Sequence, residues 1–137
     1  MIHFLSCRYE KIEDVERSHL KLTELALCST PVGIKTWVVT PQAHLEIAKQ
    51  VLDYLRDDPS PQFWGYYCAS DWVMFMHLLR GVTIPPKFPI YCGELAQEIA
   101  RLKLSLRDLP RTPSLGQDIV GDVEWCRSVY WYIQGGN

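Results

Sequence analysis

The sequence predicts an α/β domain with one central mixed β-sheet flanked by helices. Three observations predict this class. Short apolar segments at residues 2–7, 21–28 and 34–39 are typical of an antiparallel three-stranded meander. An aromatic segment at residues 63–67 predicts a fourth strand, which lies between two segments of helical periodicity. The rest of the chain carries helical patterns, so the sheet needs helices to cover its faces.

Cap and breaker residues give the bounds of the predicted helices. Thr40 as N-cap and Pro41 at the first helical position begin the first helix, and the Asp-Asp-Pro-Ser-Pro run at 57–61 ends it. Ser70 or Asp71 caps the second. The other predictions are helices over 90–104 and 120–133 and connections over 10–19 and 107–117.

Composition is typical of one folded domain over residues 1–137. Apolar residues make up 47% of the chain and the formal net charge is −2, which argues against a strongly basic nucleic-acid binder. The five cysteines are scattered without a Cys-x-x-Cys pair, so we expect reduced core residues, with neither a disulfide framework nor a zinc site. No long apolar run or leader segment is present, so we expect a cytoplasmic protein without a membrane span.

Two acidic residues follow predicted strand or loop segments at the starts of helices. Asp71 stands at a strand-to-helix junction, where open α/β sheets place their ligands, and Asp122 opens the last helix. A purely structural role is the alternative for each residue alone. Asp71 would then be a helix cap and Asp122 a favourable charge in a first turn, each stabilising the fold by about 1 kcal/mol. We expect the fold to bring the two carboxylates together.

The order of elements and two segments resemble the DEDD-type 3′–5′ exonucleases, with closest likeness to the short bacterial and phage exoribonucleases. The segments are Phe63-Trp-Gly-Tyr-Tyr-Cys-Ala-Ser-Asp71 and Gln117-Asp-Ile-Val-Gly-Asp122. The segment Phe88-Pro-Ile-Tyr-Cys-Gly-Glu-Leu is similar to the middle region of that family. The resemblance implies a ribonuclease H-like fold, with a central mixed sheet, an N-terminal three-stranded meander and flanking helices.

The chain differs from that family at the positions where catalysis needs metal ligands and a general base. Ser6 and Arg8 stand where the family's first strand carries Asp-x-Glu, and Gln117 stands where it carries the general-base His. Two-metal hydrolysis needs hard oxygen ligands for Mg²⁺ or Mn²⁺, and two carboxylates are too few for two metals. Glu10 could replace a ligand only if the first strand shifted in register.

We therefore expect no catalytic residue, and no metal or other cofactor. If a metal binds at all, Asp71 and Asp122 would be its ligands. The degenerate site is predicted to comprise Ser6, Arg8, Asp71, Gln117 and Asp122. Because converging carboxylates must be neutralised, the Arg8 guanidinium is predicted to pair with the two acids in place of a metal.

Three aromatic residues of the last helix cannot all face the core. The apolar side of that helix is occupied by other residues, so we expect Trp125, Trp131 and Tyr132 to be exposed and to form a protein interface. A partner protein or a second copy of the chain could occupy it.

The preferred hypothesis is a catalytically inactive exonuclease-like binding protein of a phage or mobile element, which binds a host protein or nucleoprotein complex. One alternative is an active metal-dependent 3′–5′ exonuclease with a displaced ligand set, dependent on Mg²⁺ or Mn²⁺. Another is a nucleic-acid-binding pseudo-nuclease. A groove rimmed by basic residues would favour nucleic acid, and the candidates are Lys87, Arg101, Lys103, Arg107 and Arg111.

Overall fold

A five-stranded mixed open sheet with the strand order β3-β2-β1-β4-β5 forms the centre of the protein. The computed structural model describes residues 1–13, 18–30, 33–111 and 118–135. The strands β1, β2 and β3 are antiparallel neighbours, whereas β4 runs parallel to β1 and β5 parallel to β4. The strands are β1 (Ile2–Glu13), β2 (Ser18–Ser29), β3 (Gly33–Val38), β4 (Gln62–Gly65) and β5 (Gly93–Glu94).

Helices cover both faces of the sheet. They are α1 (His44–Tyr54), α2 (Ala69–Leu78), α3 (Leu95–Arg101) and α4 (Ile119–Ile133), with 3-10 turns at Leu79–Gly81 and Leu106–Asp108. Alternate strand residues point to opposite faces, so Leu5 packs with α1 and α2 while Phe4 packs with α3 and α4. Among the described residues, no helix is both long and apolar enough to traverse a bilayer.

The predicted antiparallel meander is confirmed, but its first hairpin is longer than predicted. Much of the expected connection at residues 10–19 is strand, because β1 continues to Glu13 and β2 begins at Ser18. This part of the hairpin extends beyond the strand pairing of β3, which ends where Val38 meets Glu24. The sequence over 10–19 lacks the apolar alternation that would reveal a strand.

Three helix starts also differ from prediction. Helix α1 begins at His44, because Thr40 instead accepts the backbone N–H of Ala43 at 3.2 Å in the preceding turn. Cys68 is the N-cap of α2, so neither Ser70 nor Asp71 caps it. The predicted helix over 90–104 is confined to Leu95–Arg101, since the residues before it form a loop and the short strand β5. The last helix lies where the sequence predicts it.

A chain of buried polar groups joins the start of β1 to α1 and the following loop. The Tyr54 hydroxyl donates to Ser29 Oγ at 2.8 Å, Ser29 Oγ lies 2.5 Å from Nδ1 of His3, and Nε2 of His3 lies 2.7 Å from Asp58 Oδ2. Burial lowers the pKa of His3, so the neutral ring donates to the Asp58 carboxylate and accepts from Ser29. His3, Ser29 and Asp58 are at most 2% exposed, so no substrate can reach this Ser-His-Asp set, and we assign it to stability.

Candidate functional site

A cavity of about 430 Å³ opens at the end of the sheet where the pairing of β1 with β4 stops and the first turns of α2 and α4 approach. Its polar lining comprises Ser6, Arg8, Asp71 and Asp122. The rest of the lining is mainly apolar or aromatic and comprises Leu5, Cys7, Tyr9, Tyr66, Trp125 and Cys126. The structure therefore brings four of the five predicted site residues to one cavity. Gln117, the fifth, lies outside the described residues.

Asp71 is held against β1 by the open edge of that strand. Pairing of β1 with β4 ends at Phe4 and Trp64, so the next backbone groups on that side of β1 lack a strand partner. The Cys7 backbone N–H donates to the Asp71 carboxylate, and Cys7 Sγ lies 3.6 Å from the Asp71 carbonyl oxygen. Asp71 thus connects α2 to β1 by contacts with another element, whereas a helix cap would bind only the backbone of its own helix.

Arg8 and Asp122 form an ion pair across the cavity. Nη2 of Arg8 lies 2.6 Å from Oδ2 of Asp122, and the two side chains are 37% and 15% exposed. The Nη2 atom itself is buried and lies outside good hydrogen-bond geometry, so the contact is mainly electrostatic. Asp122 is in the first turn of α4, where the helix dipole also favours a negative charge, while Asp118 is the N-cap.

Burial raises the pKa of Asp71 to about 6. The Cys7 N–H and the positive charge of Arg8 act in the opposite direction, and the charges of Glu94 and Asp122 add to the rise. Asp71 therefore exchanges its proton near neutral pH. The predicted pairing of Arg8 with both acids is seen as an ion pair with Asp122, while the charge of Arg8 lowers the pKa of Asp71 without cancelling the rise.

Glu94 does not line the cavity but supports the backbone beside it, a role that the sequence did not reveal. Its two carboxylate oxygens accept the backbone N–H groups of Tyr67 at 2.7 Å and Cys68 at 2.8 Å, and also that of Ala96 at 3.0 Å. Glu94 is the N-cap of α3, and the same carboxylate binds the backbone that leads into α2. Tyr67 has a left-handed backbone with φ of 48°, which is uncommon for a bulky residue. The Glu94 carboxylate stabilises this bend beside the cavity.

The prediction of an exposed aromatic group on α4 is wrong for Trp125. Trp125 is 4% exposed, packs edge-on against Tyr66 and donates its indole N–H to the carbonyl of Pro110 at 2.8 Å. The loop after α3 thus supplies a partner that turns this ring inward. Trp131 and Tyr132 are 39% and 37% exposed, as predicted. Their use as an interface stays a prediction.

Two of the five basic residues proposed for a groove are engaged within the fold. Lys87 Nζ donates to the carbonyl oxygens of Leu55 and Arg56, at 3.2 and 2.9 Å, beyond the C-terminus of α1. Arg101 pairs with Glu98 on its own helix at 2.7 Å. Lys103, Arg107 and Arg111 are exposed. A nucleic-acid groove would therefore have to depend on these last three.

The residues of the cavity do not fit a two-metal centre. They offer two carboxylates, the Ser6 hydroxyl and two phenol groups together with a permanent cation, whereas two ions of Mg²⁺ or Mn²⁺ need several carboxylate or other hard oxygen ligands. Across the described ranges, no group of three or more His, Cys, Asp or Glu is placed to hold a metal ion. Glu10 pairs in register with Lys21 on the hairpin and does not line the cavity.

Comparison of the chain with protein-family models and with curated proteins gives no match. The resemblance to the exonucleases therefore stays a prediction from the sequence.

Proposed function

We propose that the protein is a catalytically inactive, exonuclease-like binding protein with a ribonuclease H-like fold. The ion pair between Arg8 and Asp122, in a cavity that also contains Asp71, carries the proposal. By the resemblance, Arg8 takes the position of a metal-binding Glu. A guanidinium keeps its charge at any physiological pH, so it repels a divalent cation and occupies the carboxylate that would bind one.

Hydrolysis also needs a group that takes a proton from water. Gln117, at the position that the resemblance assigns to the general base, cannot do so. Ser6 contributes a neutral hydroxyl where the resemblance expects a carboxylate. Asp71 is the group in the cavity whose pKa lies near neutrality, but its carboxylate already accepts the Cys7 N–H. These features favour a role in binding over one in phosphodiester hydrolysis.

Exposed aromatic and apolar residues support a protein as the partner. Trp131 and Tyr132 are exposed on α4, and Tyr67, Ile90 and Tyr91 are 73%, 91% and 70% exposed near the edge that carries β5. Aromatic residues are enriched at protein interfaces, and the acids of the cavity would repel a phosphate backbone. By the resemblance, the partner is a host protein or nucleoprotein complex bound by a phage or mobile-element protein.

A nuclease assay tests the inactivity. We expect purified protein to leave end-labelled single-stranded RNA and DNA intact with Mg²⁺ or Mn²⁺. The Asp71→Ala variant, prepared in parallel, identifies contaminating nuclease, because a contaminant would act equally in both preparations. Metal-dependent degradation by the wild type that disappears in Asp71→Ala would replace the proposal with the active exonuclease.

A gain of metal binding tests the exonuclease-like site separately. The double variant Ser6→Asp/Arg8→Glu restores the two carboxylates that the resemblance expects beside Asp71 and Asp122. We expect it to bind Mn²⁺ in calorimetry, whereas the wild type and the single variant Ser6→Asp do not. Failure of the folded double variant to bind Mn²⁺ would contradict the exonuclease-like arrangement without bearing on the absence of activity.

Affinity capture tests the binding role. We expect a protein captured from nuclease-treated host lysate by the wild type to be lost with the variant Trp131→Ala/Tyr132→Ala. Val38→Ala is the matched control, because Val38 is 73% exposed but lies on the β3 edge of the sheet. Capture that requires intact nucleic acid would instead favour the pseudo-nuclease that binds nucleic acid.

A further inference from the structure

Cys68 and Cys92 form a close pair of thiols beside the candidate cavity. Cys68 Sγ lies 3.4 Å from Cys92 Sγ, and both sulfurs are within 3.6 Å of the Gly93 carbonyl oxygen. Cys68 is the N-cap of α2, and Cys92 immediately precedes β5. The other cysteines, Cys7, Cys28 and Cys126, belong to the two apolar layers on either side of the sheet.

The separation of the two sulfurs is small enough for a covalent bond after a local adjustment. A disulfide needs an S–S distance of about 2.05 Å, so the sulfurs must approach by roughly 1.4 Å. Cys92 ends a connection between the 3-10 turn Leu79–Gly81 and β5 that contains no helix or strand. Rotation of the Cys92 side chain and a small shift of this connection can supply the approach.

The two thiols differ in access. Both cysteines line an open groove together with Trp72 and Tyr91, but Cys68 is only 2% exposed, whereas Cys92 is half-buried. Cys92 is therefore the thiol that a small reagent reaches more easily. This difference sets an order of reaction, in which Cys92 reacts first and Cys68 second.

We propose that Cys68 and Cys92 are a modification site, at which exchange with a low-molecular-weight disulfide such as glutathione disulfide forms an intramolecular disulfide bond. The proposal is independent of the proposed function. A reversible bond of this kind is the form in which disulfides occur in reducing compartments.

The exchange takes place in two balanced steps. The Cys92 thiolate attacks one sulfur of glutathione disulfide, whose S–S bond breaks, and one glutathione thiolate leaves. The Cys68 sulfur, after loss of its proton, then attacks Cys92 Sγ of the mixed disulfide and displaces the second glutathione. The protein loses two electrons and two protons, and the glutathione disulfide becomes two glutathione thiols.

Two physical factors affect the rate. The hydrogen bond with Cys68 and burial raise the pKa of Cys92, so the reactive thiolate is scarce and the first step is slow. The second step is favoured because Cys68 already lies in van der Waals contact with its target. We therefore expect little accumulation of the mixed disulfide.

Thiol mapping of the native protein tests the proposal. Wild type is incubated with excess glutathione disulfide and then denatured and alkylated, and its peptides are analysed by mass spectrometry. We expect Cys68 and Cys92 joined, and the other three of the five cysteines alkylated. A mixed disulfide that persists on Cys92, a bond between other cysteines, or complete alkylation would each overturn the proposal.

Single variants test the order of reaction. In Cys68→Ser we expect the mixed disulfide to accumulate on Cys92, because the resolving thiol is gone. In Cys92→Ser we expect Cys68 to stay alkylatable and free of glutathione. Glutathione attached to Cys68 in Cys92→Ser would overturn the proposed order. Circular dichroism establishes that each variant is folded, and the wild-type mapping decides the proposal by itself if one is not.

Discussion

Nη2 of Arg8 lies 2.6 Å from Oδ2 of Asp122 in the cavity that also contains Asp71. Two carboxylates that converge without a cation repel each other, and Arg8 supplies that cation from within the chain. Burial raises the pKa of Asp71 to about 6, and the positive charge of Arg8 offsets this rise only in part. The stability of the cavity should therefore depend on Arg8 and on pH.

Replacement of Arg8 by Ala should destabilise the protein near neutral pH. An exposed ion pair contributes about 0–1 kcal/mol, whereas loss of one partner from a buried pair costs about 3–5 kcal/mol. Arg8 is 37% exposed and Asp122 only 15%, so we expect a loss of about 1–3 kcal/mol in the free energy of unfolding. Urea denaturation measures it. Mg²⁺ should recover part of the loss, because it can screen the two acids.

Arg101→Ala is the matched control for Arg8→Ala. Arg101 forms an ion pair of similar length, 2.7 Å, but with Glu98 on an exposed helix face. We expect a much smaller change and no response to Mg²⁺. Equal effects of the two substitutions, or an Arg8→Ala protein as stable as wild type, would mean that Arg8 does not act as the counter-ion of the cavity.

Replacement of Asp71 by Asn should stabilise the protein above pH 6. The ordinary pKa of Asp is 3.8, and the folded protein raises that of Asp71 to about 6. Between these values the folded state binds more protons than the unfolded state, so this group makes the free energy of unfolding fall as the pH rises. Asn cannot ionise, and its side-chain oxygen can still accept the Cys7 N–H.

The expected result is a difference between the two proteins that depends on pH. The free energy of unfolding of Asp71→Asn minus that of wild type should grow between about pH 4 and pH 6 and then level off. Other titrating groups such as His3 affect both proteins alike and cancel. Asp122→Asn is the control, because it removes the ion pair with Arg8 and should therefore lower the free energy of unfolding at neutral pH. A difference that does not vary with pH would contradict the raised pKa of Asp71.

The resemblance to the exonucleases, and not periodicity, assigned Ser6 and Arg8 to the site. Local periodicity predicted the meander and the last helix, and the predicted helix starts marked Asp71 and Asp122, which the fold brings to one cavity. These features depend on apolar alternation and on residues at element ends, which a sequence displays directly. The orientation of the Trp125 side chain toward the core could not be predicted from periodicity. It depends on the carbonyl of Pro110, which belongs to a connection without a periodic pattern.

Hydrogen bonds between residues far apart in the chain also could not be predicted from the sequence. The buried pairing of His3 with Asp58 joins residues 55 positions apart, and Glu94 binds the backbone of Tyr67 27 positions earlier. Asp58 belongs to the short polar segment at 57–61, and such segments are ordinarily solvated loops. Glu94 is the second residue of the two-residue strand β5, which is too short to leave a pattern in the sequence.

Replacement of Glu94 by Ala should destabilise the protein and loosen the bend at Tyr67. The substitution removes the acceptor of three backbone N–H groups, those of Tyr67, Cys68 and Ala96. An unsatisfied buried donor costs about 1–3 kcal/mol, but the hydrogen bond of the Tyr67 N–H is exposed and those of Cys68 and Ala96 are partly buried, so each costs less. We expect a total loss of about 1–3 kcal/mol, to which the left-handed backbone of Tyr67 contributes.

Denaturation and amide hydrogen exchange together check the role of Glu94. We expect faster exchange at the amides of Tyr67 and Cys68 in Glu94→Ala, because their N–H groups lose their acceptor. Glu94→Gln keeps one acceptor oxygen and should give an intermediate loss of stability. Glu98→Ala, which removes only the exposed pair with Arg101 on the same helix, should leave those two amides unchanged. If Glu94→Ala and Glu98→Ala have the same stability and the same exchange at both amides, Glu94 does not hold the start of α2.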